Sequence, residues 1–126
     1  MYKRQPQIYN FKKQYAGDTF KGLQLKASRV SGETNERTPI DLTDVEINMQ
    51  IRTANRVSVI KDLKIETGIT LIDAENGIFR IDPFKNPKGG EYVYDIQFTY
   101  SDETIETYLK GSLNVEFDTT RNYVQR

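Results

Sequence analysis

At 126 residues with neither cysteine nor histidine, the chain has room for one domain and excludes a disulfide-stapled scaffold, the usual nucleophile–base pairs and most zinc sites. Its 18 Lys and Arg balance 18 Asp and Glu, so no global field draws in nucleic acid or anionic lipid. No apolar run nears the ~20 residues of a membrane span, and "MYKRQPQIYNFKKQY" never reaches the apolar core of a secretory signal, so a soluble protein made in the cytoplasm is expected.

The first segment, 1–15, reads as an N-terminal arm or edge strand. Lys3-Arg4 and Lys12-Lys13 alternate with Tyr2, Tyr9, Phe11 and Tyr15. Stacking rings beside cations is the chemistry of a single-stranded nucleic-acid arm. A strand that gives Ile8 and its aromatics to a core or a neighbour fits the zero net charge better, so nucleic acid is disfavoured. "AGD" at 16–18 turns into "LQLKA", which puts Leu23, Leu25 and Ala27 on one face. "SGETNERTP" at 31–39 is polar and turn-rich and is read as a mobile loop. In "VEINMQIRT", Val45, Ile47, Met49 and Ile51 face one way and Glu46, Asn48, Gln50 and Arg52 the other, as in a half-buried antiparallel strand.

"AENG" at 74–77 separates "ITLI" from "IFRI" as a hairpin, and "PFKNPKGG" at 83–90 is a long connection with room for one helical turn. "GGEYVYDIQFTY" then places Tyr92, Tyr94, Ile96, Phe98 and Tyr100 on one face. With "SDET" as the bend, "IETYLKGSLNVEF" returns Ile105, Leu109, Leu113, Val115 and Phe117 to that face. The register expected pairs Tyr92 with Leu113, Tyr94 with Gly111, Ile96 with Leu109, Phe98 with Thr107 and Tyr100 with Ile105. Outside, Asp95 meets Lys110, and Gly111 leaves room for the Tyr94 ring. Tyr92 is placed to bond back to the preceding loop as a tyrosine corner.

The sum is an all-β, Ig-like antiparallel β-sandwich of about seven or eight strands. The arm spans 1–15, a single sandwich domain 16–118, and an exposed tail 119–126. No catalytic, cofactor or metal site is legible. Asp102, Glu103 and Glu106 cluster at the bend, where exposure keeps carboxyl groups ordinary. "DAENG" lacks the ligand spacing of a calcium loop, and "NPKGG" lacks that of a phosphate loop. Tyr108 falls on the polar face and is read as a contact residue, with Tyr2, Ile8, Tyr9, Phe11 and Tyr123 as further candidates for partner contact.

Several stretches together resemble the small β-sandwich domains of tailed-bacteriophage structural proteins, in particular the N-terminal domain of baseplate upper proteins. "YAGDTF", "TPIDLTDVEINMQIRT", "GITLIDAENGIFRI" and "PKGGEYVYDIQFTYSDETIETYLKGSLNVEFDTTR" follow the order of those domains over roughly residues 15 to 121. Thr43-Asp44 replaces their frequent Thr-Gly, and no coiled coil or fibre follows "TTR". The resemblance implies a non-enzymatic virion component, a tail, neck or collar, baseplate or capsid-associated subunit. Its partners would be other virion proteins and copies of itself, with no cofactor and no membrane. The alternative is a carbohydrate- or receptor-binding sandwich for host attachment.

Overall fold

The computed structural model describes residues 7–30 and 32–117. Among these residues thirteen strands run in chain order: β1 (Gln7–Ile8), β2 (Gln14–Tyr15), β3 (Thr19–Phe20), β4 (Leu23–Lys26), β5 (Ser28–Val30), β6 (Arg37–Pro39), β7 (Glu46–Thr53), β8 (Val59–Ile65), β9 (Gly68–Asp73), β10 (Ile78–Ile81), β11 (Phe84–Lys85), β12 (Gly90–Thr99) and β13 (Ile105–Glu116). The fold is all-β, and among the described residues the single helical element is a 3-10 turn at Ala74–Asn76.

Nine strands form one sheet in the order β1-β13-β12-β7-β8-β9-β10-β4, with β2 also on β13; β3 pairs with β11 and β5 with β6. The long ladders are antiparallel, whereas β1 and β2 run parallel to β13, and β8 runs parallel to β9. The sheet curls at the β8–β9 corner, where Glu66 and Gly68 take φ of 72° and 105°. A Cβ at Gly68 would lie 2.6 Å from Leu63, so glycine is needed there on both counts. The curl lets β9 and β10 face β7 and β12, and Phe79 meets Phe98 edge-on at 6.0 Å. One core results, in which Ile47, Met49, Ile51, Ile69, Phe79, Ile81, Ile96 and Phe98 are all essentially sealed from solvent.

The alternation of "VEINMQIRT" and "GGEYVYDIQFTY" is realised in full: Val45, Ile47, Met49 and Ile51 are buried, as are Tyr92, Tyr94, Ile96 and Phe98. The expected register holds from Tyr92↔Leu113 to Ile96↔Leu109, including Asp95↔Lys110. It then slips, and Gln97 pairs with Thr107, Phe98 with Glu106 and Thr99 with Ile105. Tyr108 is the extra residue of a β-bulge. Past it the facing of β13 reverses, so Ile105, expected inside, is 62% exposed and Tyr108, expected outside, is only 9% exposed. Phe117 is also exposed, one residue beyond the end of β13.

Other expectations are corrected locally. Residues 37–39 of the supposed loop form β6 on β5, and 83–90 contains β11 rather than a helical turn. The Tyr92 hydroxyl does donate to the Lys88 carbonyl at 2.6 Å, as a tyrosine corner requires. Asp44 has φ of 62°. That is a left-handed conformation, and aspartate is among the few non-glycine residues that tolerate it.

Residues 7–15 run along β13 and pair with it at β1 and β2. The Tyr9 and Phe11 amides donate to the Lys110 and Ser112 carbonyls at 2.9 and 3.0 Å, and Asn10 Oδ1 accepts from both the amide and the hydroxyl of Ser112. The space above Gly111 is filled by the arm rather than by the Tyr94 ring: a Cβ there would sit 1.8 Å from the Tyr9 carbonyl oxygen. The Tyr94 hydroxyl donates to that same oxygen. Phe11 packs into an aromatic socket, 4.7 Å from Tyr94 and 5.3 Å from Phe20.

Candidate functional site

The outward residues of the three central strands stand in rows fixed by the ladder. Gln50 of β7, Asp95 of β12 and Lys110 of β13 form one row, and Arg52, Val93 and Ser112 the next. Ile8 on the arm is the register partner of Lys110 and extends the first row. Arg56 comes from the β7–β8 turn, where its amide donates to the Thr53 carbonyl and its φ is 65°. A non-glycine residue held in that conformation is a position the turn over-determines. Together these side chains line an open trough of about 450 Å³ on the outer sheet face.

The polar groups of the trough are only partly satisfied. Arg52 donates to the Gln50 side-chain oxygen. Among the described residues, the Asp95 carboxylate, the Arg56 guanidinium and the Lys110 ammonium make no hydrogen bond or ion pair, even though Asp95 and Lys110 are direct register partners. Burial pushes the Asp95 carboxyl above its ordinary range, against the opposing pull of Arg52, Arg56 and Lys110. A half-buried charge that costs folding energy is an arrangement typical of binding sites. The donors and acceptor face outward, all but Arg56 from paired strands or the arm, which suits a polar segment of a partner better than a reacting substrate.

A second cluster lies at the bulge. Arg29 of β5 sets both terminal nitrogens on Glu106, at 3.1 Å to Oε2 and 2.8 Å to Oε1, and the Tyr100 hydroxyl donates to Oε1 at 2.7 Å. The Tyr108 hydroxyl accepts from the Ser28 amide at 3.1 Å, and its ring stacks on Phe98 at 4.9 Å. This cluster fastens the β5–β6 hairpin to the sheet. Burial, then the bond to Glu106, pushes the Tyr100 phenol up to about 12. Glu106 is therefore not a solvated bend residue; the reversed facing turns it inward, where its side chain is 17% exposed. Asp102 and Glu103 are exposed at the bend, as expected.

The residues singled out from the sequence scatter. Ile8 and Tyr9 are exposed on the arm, and Phe11 is turned into the socket. Tyr108 is core and anchor, so its reading as a surface contact is withdrawn: the bulge rotates it inward. Tyr2 and Tyr123 lie outside the described residues. Asn76 bonds to Asp73 within the "DAENG" turn, and Gly77 takes φ of 75°. Sequence reasoning named Asp95 and Lys110 only as a surface pair and missed Arg52 and Arg56 as site residues. The outward parity of "VEINMQIRT" held the signal for Arg52; none existed for the turn geometry at Arg56.

Neither a protein-family model nor a curated protein matches the chain. Among solved structures, CopC from Methylosinus trichosporium OB3b is 14% identical over 84% of this chain and 85% of that one, with a TM-score of 0.46. That likeness is too slight to bear on function.

Proposed function

We propose that the protein is a structural subunit of a bacteriophage virion, in the tail, neck or collar, baseplate or capsid shell, that works through protein–protein contacts in a symmetric assembly. The resemblance over residues 15 to 121 supplies the class. The observation that carries the mode of action is the outer-face trough, where charged groups stand unpartnered on the most extensively paired strands of the sheet. Such a surface binds with little reorganisation, and repetition in a symmetric particle multiplies a modest contact. Mass spectrometry of purified particles tests the reading: the protein is expected in stoichiometric amounts, and its absence would refute the assignment. The host-attachment alternative would draw on an exposed Tyr108 or on loop aromatics, and the first of these is buried.

A further inference from the structure

The two ends of the β12–β13 hairpin carry opposite chemistry. The trough lies toward the β7–β8 turn, where the Ala54 amide bonds to the Glu91 carbonyl. The hairpin bend lies beyond the other end of β12, about 20 Å from the Val93 and Asp95 rows at the usual strand rise. It is closed by the Tyr100 amide on the Thr104 carbonyl and the Glu103 amide on the Tyr100 carbonyl. At its tip Ser101, Asp102, Glu103 and Thr104 are exposed, Glu103 with a left-handed φ of 71°. The Asp102 carboxylate accepts from the Thr104 amide, which holds it in the charged form to more acidic pH than usual. Just past the tip, Ile105 is 62% exposed because the bulge has turned it outward.

The trough offers the complement of each of these groups. Arg52, Arg56 and Lys110 outnumber the one carboxylate among them, Asp95, and Arg56, Lys110 and Asp95 make no hydrogen bond or ion pair among the described residues. Ile8, 69% exposed, and Val93 supply an apolar wall. We propose that the acidic tip 100–105 of one copy docks in the trough of a second copy, so that copies join head to tail. Asp102 and Glu103 meet Arg56 and Lys110, a tip hydroxyl or amide donates to Asp95, and Ile105 lies against Ile8 and Val93. The joint is heterologous: each copy uses its tip on one neighbour and its trough on the other, which builds rings or open filaments rather than a closed twofold dimer. A hairpin tip in a trough of this size falls at the small end of specific interfaces, so a single joint is weak and salt-sensitive and gains strength by repetition. The inference deepens the proposed structural role and rests on it for its biological setting, though the joint itself is a property of the purified chain.

The test is sedimentation velocity on the purified full chain over a wide concentration range at low and high salt. Wild type is expected to grow beyond a monomer with concentration and to shrink in high salt. The doubles R56E/K110E and D102K/E103K should each associate at least about tenfold more weakly. Mixing the two doubles should restore association, because each reversed surface then finds its complement in the other variant. The neutral double R56Q/K110Q, with a circular dichroism check, separates loss of the joint from loss of the fold. A wild type that stays monomeric throughout, charge reversals without effect, or a mixture that fails to rescue would overturn the joint. Presence of the protein in particles with no self-association would refute the joint and leave the virion role standing; the converse result would do the reverse.

Discussion

Replacing Gly111 by alanine puts a methyl group where the arm backbone already is. The nearest atoms would be the Tyr9 carbonyl oxygen at 1.8 Å and its carbon at 2.7 Å, both main chain and both fixed by the pairing around them. In a strand, Gly→Ala ordinarily stabilises by a fraction of a kcal/mol, because it narrows the unfolded ensemble. Here no rotamer relieves the clash, so the arm must lift. Lifting withdraws the partly buried Phe11 from its socket, a loss of roughly 1–2 kcal/mol. It also strands the Tyr94 hydroxyl, buried with its donor aimed at the Tyr9 carbonyl, at a cost of about 1–3 kcal/mol. The backbone bonds at Tyr9 and Phe11 return to water and are roughly balanced by the freedom the arm regains. Partial relaxation at the socket leaves a net loss of about 2–4 kcal/mol. Urea unfolding measures the loss, and hydrogen exchange locates it: the Tyr9 and Phe11 amides should lose protection while the Ile47 and Phe98 amides keep theirs. An alanine variant as stable as wild type, with the Tyr9 amide still protected, would refute the clipped-arm geometry.

The Arg29–Glu106 pair should couple: R29A and E106A are each expected to lower stability by about 1–2 kcal/mol, and the double by less than their sum, as a urea double-mutant cycle would show. The raised Tyr100 phenol makes stability fall at high pH. The neutral phenol is favoured in the folded state, so its contribution is intact below the ordinary tyrosine pKa near 10 and is lost as pH climbs through about 12. A fluorescence titration should therefore show a shallower alkaline loss in Y100F, and identical slopes would count against the buried cluster. Asp95 carries the same sign in the acid range, since its folded pKa is raised and its stabilising protonated form is gone at neutral pH. D95N should accordingly raise the urea midpoint at neutral pH, and the gain should fade as pH falls through the carboxylate range; a loss of stability at neutral pH would contradict the reading of an unpartnered charge.

What could be read from the sequence was parity. "VEINMQIRT" and "GGEYVYDIQFTY" alternate without interruption, and side-chain alternation is a strictly local property of extended chain. That sufficed to place eight core residues and the register from Tyr92 to Ile96. The slip at Tyr108 was hidden because a bulge costs one residue and leaves no composition signal, and "IETYLKG" reads equally well in either frame. Strand β8 went unseen for a related reason: Val59 and Ile60 are adjacent apolar residues, and Ile60 is itself the extra residue where the β7–β8 register shifts. The trough lay further from view still. Its lining comes from the arm, β7, the following turn, β12 and β13, brought together by two antiparallel ladders and one parallel pairing that no short window contains.

The bulge at Tyr108 divides β13 into two reading frames that share one strand. From Leu109 onward, the frame is tied to the arm, the trough and the deep core; before Tyr108, it belongs to the hairpin end and the β5–β6 anchor. Point substitutions change what one frame displays but cannot exchange the frames. Gain or loss of a single residue at 105–108 can, turning Ile105 inward and Glu106 outward while leaving every partner of Leu109 to Val115 in place. The tip is thus a face that length variation can rewrite independently of the surface at the far end of the same hairpin.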